Sequence, residues 1–322
     1  MTLDEFLAEW HNDDERLLVH TSGSTGKPKS LWVEKRRMEA SARMTCDFLG
    51  LHEGDTALLC LPLDYIAGKM MVVRSLVRNL HLVTVEPNGH PLSTLPSPHF
   101  AAMIPLQVWN SLQVPEECAK LRQIQHLIIG GGAIDEKLEA ALQDFPHAVW
   151  STYGMTETLS HIALRRLNGP GRSAWYQPFE GVNVSLNAED CLVIDAPKVC
   201  SERLVTNDIG VLDADGRFRI LGRKDDVICS AGVKIQMEEV ERLLRPHIDT
   251  AFMITKCHDE RLGEAVVLLY EAADETLLRE VCRQVLPRYW QPRRYLQVNQ
   301  LPTTPNGKPA RAAAQRIAER KV

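Results

Sequence analysis

Residues 20–29, His20-Thr-Ser-Gly-Ser-Thr-Gly-Lys-Pro-Lys29, gather hydroxyls at Thr21, Ser22, Ser24 and Thr25, glycines at Gly23 and Gly26, and cations at Lys27 and Lys29. Small side chains, accessible backbone N–H groups and positive charge in one turn can hold a polyphosphate. This is not a Walker A loop, because Thr21 and Pro28 stand where that motif needs a glycine and a Ser or Thr. Taken alone, the decapeptide also fits a hydrophilic turn. A second stretch, Tyr153-Gly-Met-Thr-Glu-Thr158, offers an aromatic ring, hydroxyls and a carboxylate, the usual ligand type for the hard Mg2+ ion that accompanies ATP. Gly130-Gly-Gly-Ala133 precedes it but does not complete the G-x-G-x-x-G dinucleotide fingerprint. A third stretch pairs Thr206-Asn-Asp208 with Gly222-Arg-Lys-Asp-Asp226. A carboxylate can accept from two ribose hydroxyls, and an arginine fork can donate to the same sugar. Ser230-Ala-Gly-Val-Lys-Ile235 and Leu301-Pro-Thr-Thr-Pro-Asn-Gly-Lys-Pro309 complete the set.

In type and order these stretches resemble the adenylate-forming superfamily of acyl-CoA synthetases, peptide-synthetase adenylation domains and luciferases. The resemblance implies a two-step reaction using ATP, Mg2+ and coenzyme A. It puts the phosphates on Thr21, Ser22, Gly23, Ser24, Thr25, Gly26 and Lys27, and the adenine against Gly131, Gly132, Ala133 and Tyr153-Gly154. Thr156 then contacts the α-phosphate, Glu157 the Mg2+, and Asp208 and Arg223 the ribose. Asp225 matches the hinge of a swinging C-terminal domain, and Gly232 matches the glycine flanking the pantetheine tunnel. Lys308 is the adenylation lysine, whose ammonium would stabilise charge on the attacking and bridging oxygens. Two departures stand out: family members usually carry glycine at 207, where this chain has Asn207, and the usual Gly-Glu-Leu stretch reads Glu189-Asp-Cys-Leu192.

Leu61–Leu76 together with Thr156–Leu164 look most like the ligases that join o-succinylbenzoate to CoA in menaquinone synthesis. Tyr65 stands where histidine is common in the family. Such a substrate keeps a second, aromatic carboxylate, which must be paired or hydrogen-bonded when buried. Tyr65, Lys69, Arg74, Ser160 and His161 are therefore the substrate-site candidates. Lys69 and Arg74 equally fit the solvated face of a helix. Another aryl or acyl acid, and a catalytically silent nucleotide-binding homologue, are the alternative functions. Only 19 residues precede His20, fewer than family members usually have.

The elements that must position these residues follow from periodicity. Helices are expected over 2–10, 34–49, 67–79, 236–245, 275–287 and 309–320, and after Pro105 and Asp135. Strands are expected at 17–19, 57–61, 81–85, 100–104, 125–129, 149–153, 182–186, 191–194, 210–221 with a turn at Asp213-Ala-Asp-Gly216, 250–255 and 264–270. That alternation predicts an α/β fold, a large unit over 1–224 with helix-covered sheets and a smaller, mobile α+β unit over 225–322. With 322 residues, 44% hydrophobic and 25% charged, the chain has the composition of a soluble globular protein. A net charge of −5 gives no reason to expect nucleic acid or an anionic membrane as partner. Eight scattered cysteines with no C-x-x-C pair point to reduced thiols and a cytoplasmic setting. The partners expected are small molecules: a carboxylic acid, ATP and CoA. Oligomeric state is left open.

Overall fold

The computed structural model describes residues 1–20, 30–132, 134–303 and 309–320. Its centre is a seven-stranded sheet. Five strands run parallel, β3 (Thr56–Leu59), β4 (His81–Thr84), β5 (Phe100–Met103), β6 (His126–Ile129) and β7 (Ala148–Gly154), and two antiparallel strands, β8 (His161–Arg166) and β9 (Gln177–Pro178), extend one edge. The spatial order is β4-β3-β5-β6-β7-β8-β9. Parallel strands require crossovers, and the chain supplies α3 (Ile66–Arg78), α4 (Pro105–Gln113), α5 (Pro115–Gln123) and α6 (Glu136–Ala141) between them. Pro115 opens a second helix where one was expected after Pro105, since proline suits a helix start but not its interior.

Before this sheet lie α1 (Leu3–His11), the antiparallel pair β1 (Arg16–His20) and β2 (Ser30–Glu34), and α2 (Lys35–Leu49). The helix α2 buries Met38, Ala42, Cys46 and Leu49, a single face at helical spacing, and packs on α3. Neither β2 nor β8 was apparent from periodicity.

A second sheet is the antiparallel meander β10 (Asn183–Leu186), β11 (Cys191–Asp195), β12 (Leu204–Leu212) and β13 (Phe218–Arg223), with the Asp213–Gly216 turn between its last two strands. After it come β14 (Val227–Ser230), β15 (Val233–Gln236), α7 (Met237–Leu244), β16 (Phe252–Asp259), β17 (Gly263–Tyr270), α8 (Glu275–Val285), β18 (Arg294–Gln297) and α9 (Arg311–Arg320). These strands form a third sheet of order β15-β14-β17-β16, with β18 parallel to β17. Buried apolar side chains form one cluster running from Phe6 to Phe218 and others between Ile228 and Ala318. The fold is thus mixed α/β, as expected from the alternation of elements.

Candidate active site

In a doubly wound sheet the carboxyl ends of parallel strands open into a crevice where ligands bind. Here β3 runs out into Leu61–Tyr65, β5 into Ile104, β6 into Gly130–Gly132, and β7, which ends at Tyr153-Gly154, into Met155–Thr156. Tyr65, half-buried at the start of α3, forms a backbone bridge with His20, the last described residue before the 21–29 run. Thr21, Ser22, Gly23, Ser24, Thr25, Gly26, Lys27, Ala133 and Lys308 lie outside the described residues.

Three stretches far apart in sequence meet at the end of β7. The Tyr153 hydroxyl donates to Asp208 Oδ2 at 2.7 Å. Asp208 and Arg223 stand opposite each other in the β12–β13 ladder, with Arg223 Nε 3.6 Å from Asp208 Oδ1. The backbone N–H of Asp208 donates to Thr206 Oγ1 at 3.0 Å, which fixes the carboxylate's own backbone. Burial, reinforced by Asp208, pushes the Tyr153 phenol far above its ordinary range, so it stays a protonated donor. Its ring is 7% exposed and packs against Phe218 and Tyr176, with centroids 5.0 and 5.9 Å away. The hydroxyl–carboxylate contact, rather than a free ring face, is what the structure displays.

The segment after Tyr153 is tightly folded. A Cβ on Gly154 would stand 2.2 Å from the Ser160 carbonyl, so only glycine lets the β7 end approach the strand beside it. Thr156–Thr158 form one 3-10 turn, in which Glu157 is exposed and has no ion pair among the described residues. Leu159 then has φ 66 and ψ −38, and Ser160 N–H donates back to Thr158 O at 2.7 Å, a strained three-residue turn. Buried Thr158 secures it, accepting from Met155 N–H at 3.0 Å and donating to Ser160 O at 2.7 Å. Nothing in the sequence pattern singled out Thr158, because its role depends on a turn that only the folded chain displays.

The strain turns Ser160 and His161 toward α3. The middle of that helix is covered on every face, with Gly68 through Ser75 all buried, so Lys69 and Arg74 are each only 2% exposed. The solvated-face reading of these two cations is therefore wrong: where consecutive residues are all buried, that stretch of helix has no water-facing side. Arg74 Nη2 donates to Ser160 Oγ at 2.5 Å and Nη1 to Met71 Sδ at 3.6 Å, while its buried Nε has no hydrogen-bond partner among the described residues. No carboxylate pairs with Arg74 among the described residues. Burial draws its pKa down to about 10, leaving it cationic near neutrality. His161 Nδ1 is 3.2 Å from Ser160 Oγ, and its Nε2 is 3.0 Å from Thr45 Oγ1. Lys69 points elsewhere: its Nζ lies 3.2 Å from Met1 Sδ and 5.2 Å from the centre of the Phe6 ring, against α1. Arg74, Ser160 and His161 thus form one cluster, and Lys69 stands apart.

Asp225 accepts from Asn207 Nδ2 at 3.0 Å and lies 3.8 Å from Arg223 Nη2. Its neighbour Lys224 reaches both oxygens of Glu189 at 2.7 Å. The two departures from the family pattern, Asn207 and Glu189, therefore both touch the 224–225 segment. Gly232 sits at the tip of the β14–β15 hairpin, where Ala231 and Gly232 have φ 50 and 81, the positive pair that a two-residue hairpin turn demands.

The model of the AMP-binding enzyme family matches residues 4–193. The chain belongs to that family. A crystal structure of an acyl-CoA synthetase (AMP-forming)/AMP-acid ligase II-like protein from Dyadobacter fermentans DSM 18053 is 32% identical, with a TM-score of 0.66 over 96% of this chain and 91% of that one. The 2-succinylbenzoate–CoA ligase of Geobacillus kaustophilus (strain HTA426) is 27% identical over 341 residues, covering 95% of this chain and 68% of the relative. The fold also matches the o-succinylbenzoate coenzyme A synthetase of Bacillus subtilis in complex with ATP and magnesium ion, at 22% identity and a TM-score of 0.77 over 92% of this chain and 68% of that one.

Proposed function

We propose that this protein is an AMP-forming acid–CoA ligase acting on 2-succinylbenzoate, in menaquinone synthesis. The observation that carries the reading is the meeting of Tyr153, Asp208 and Arg223 at the carboxyl edge of the parallel strands, which supports a ribose-binding constellation. The exposed Glu157 carboxylate, one turn beyond, is a hard oxygen donor of the kind that suits Mg2+, which would neutralise phosphate charge. Gly131 and Gly132 flank the adenine in this reading, with Thr156 and the 21–27 run on the phosphates.

A substrate carboxylate oxygen attacks the α-phosphorus, pyrophosphate leaves, and Lys308 stabilises the charge that develops. The CoA thiol then attacks the acyl carbon and AMP departs. Residues 225–322 are read as the mobile unit, turning about Asp225 between the two steps. Choice of acid rests on Arg74, a buried cation with no carboxylate partner among the described residues, with Ser160 beside it. A buried charge requires a counter-charge, and the second carboxylate of 2-succinylbenzoate supplies one. Eight free cysteines fit a reducing, cytoplasmic setting.

The deciding experiment is release of pyrophosphate and formation of thioester from ATP, CoA and a panel of acids. Turnover is expected to be fastest with 2-succinylbenzoate; a faster monocarboxylic acid overturns the substrate assignment. Lys308→Ala is expected to slow adenylation by ~100-fold, the scale for a donor that stabilises transition-state charge.

A further inference from the structure

The side chains behind Arg74 form a hydrogen-bonded chain whose direction is set at the Thr45 end. At one end, Thr45 Oγ1 donates its proton to the Ser41 carbonyl at 3.2 Å, inside α2. Toward His161 Nε2, 3.0 Å away, the same oxygen then has only lone pairs to offer, so Nε2 carries the imidazole proton. At the other end a guanidinium can only donate, so Ser160 Oγ accepts from Arg74 Nη2 at 2.5 Å. Toward His161 Nδ1, 3.2 Å away, Ser160 still has its proton to give, and with the ring neutral and its proton on Nε2, Nδ1 is the atom that accepts it. The Thr45 end therefore selects the tautomer with its proton on Nε2, and the Ser160 end accommodates it. Burial, with the Arg74 charge adding to it, keeps the His161 pKa well below its ordinary value.

Among the described residues, the remaining surroundings that touch Arg74 and His161 carry no carboxylate either. The Phe179 ring stands edge-on to the imidazole at 5.5 Å, Met71 Sδ takes Arg74 Nη1, and the buried Cys46 thiol, the other titratable group near Arg74, is pushed up by burial and so is protonated. An arginine held by a carboxylate would have its charge cancelled by the protein. One held by a hydroxyl–imidazole–hydroxyl chain is oriented with its charge intact.

We infer that Thr45 and His161 are positioning residues which, through Ser160, aim the Arg74 guanidinium while leaving its charge free for the second carboxylate of the acid, and so set the preference for a dicarboxylic over a monocarboxylic substrate. This rests on the reading of Arg74 as the cation of the acid site. Neither residue touches the reacting carboxylate; both act by fixing where Ser160 presents its lone pair. Thr45 lies more than a hundred residues before His161, on a helix that carries none of the nucleotide-binding stretches, and no motif marks it.

The test compares kcat/KM for 2-succinylbenzoate with that for the same keto acid lacking the ring carboxylate. Thr45→Val keeps the shape but removes the acceptor. It is expected to lower kcat/KM for the diacid about tenfold, through KM, because it weakens a hydrogen-bond chain ending on a charged group. The monoacid and the KM for ATP should stay within about twofold on the same principle, and Thr45→Ser should restore the diacid value. A merely structural Thr45 would lower both acids alike. That outcome, with Arg74→Ala still collapsing the diacid preference, overturns the inference and leaves the site reading standing. If Arg74→Ala leaves the preference intact, the site reading fails and the inference with it. Should Thr45→Val not fold, 15N spectra of histidine-labelled wild-type protein decide: a neutral His161 with its proton on Nε2 is expected at neutral pH, and a proton on Nδ1 or a doubly protonated ring overturns the proposal.

Discussion

The Tyr153 hydroxyl is a small group with two roles, since it satisfies a buried donor and holds Asp208 Oδ2 in place. Tyr153→Phe removes the donor without opening a cavity, so a stability loss of about 1 kcal/mol is expected, the usual worth of one such bond. The loosened Asp208 should raise the KM for ATP several-fold while leaving the KM for the acid unchanged, which steady-state kinetics with each substrate varied will check. A second residue with a measurable signature is Glu238, whose carboxyl is pushed up to about 8, first by burial and then by the neighbouring Asp226. Between its ordinary 4.5 and that value the folded chain holds a proton that the unfolded chain has released. Stability must therefore fall as pH rises across that window. Glu238→Gln should flatten the fall, as read from urea midpoints at several pH values.

Among the elements, the β14–β15 hairpin shows how a site prediction and a local cause can share one residue. Gly232 matches a tunnel-flanking glycine by motif, yet its φ of 81 already calls for glycine, and a Cβ there would meet nothing within 4 Å. Gly232→Ala is expected to cost about 1 kcal/mol, the usual penalty for an L-residue in left-handed geometry. Denaturation should register that loss with adenylation unchanged; a drop in thioester formation beyond it would support the tunnel role. Helix α3 teaches the complementary lesson. Its Lys69 and Arg74 sit among apolar residues, and their fate was decided by α1 and α2 covering the sides that a free helix would expose. Periodicity within one element carries no information on what covers it. For the same reason β8 is not legible in the sequence: it is apolar enough for a strand, but its pairing with β7 depends on the turn at Leu159.

At the scale of the molecule, the segment at 223–226 joins the Phe6–Phe218 core to the clusters that follow. It is held on one side by Asn207 and Glu189, and on the other by Arg311, whose guanidinium binds both oxygens of Glu241 at 2.6 and 2.9 Å and lies 3.7 Å from Asp226. If the chain turns about Asp225, then Asp225→Pro, which restricts that rotation, should change the two half-reactions unequally, by ~10-fold or more, as expected when a hinge position loses its backbone freedom. Acid-dependent pyrophosphate exchange and thioester formation from preformed acyl-adenylate measure them separately. Equal effects on both would remove the hinge from the mechanism.

What the amino-acid order determined by itself is the α/β alternation, the apolar faces of helices such as α2, and the motifs around Tyr153, Asp208 and Arg223 on which the proposed nucleotide site rests. These are local patterns, written in the spacing of a few neighbouring residues. The tertiary structure alone decided that Arg74 is buried with no carboxylate partner among the described residues, that Ser160 faces it, and that Thr45 stands behind His161. Those facts depend on which surfaces close over α3, and burial changes the energy of a charge far more than any neighbour in sequence does.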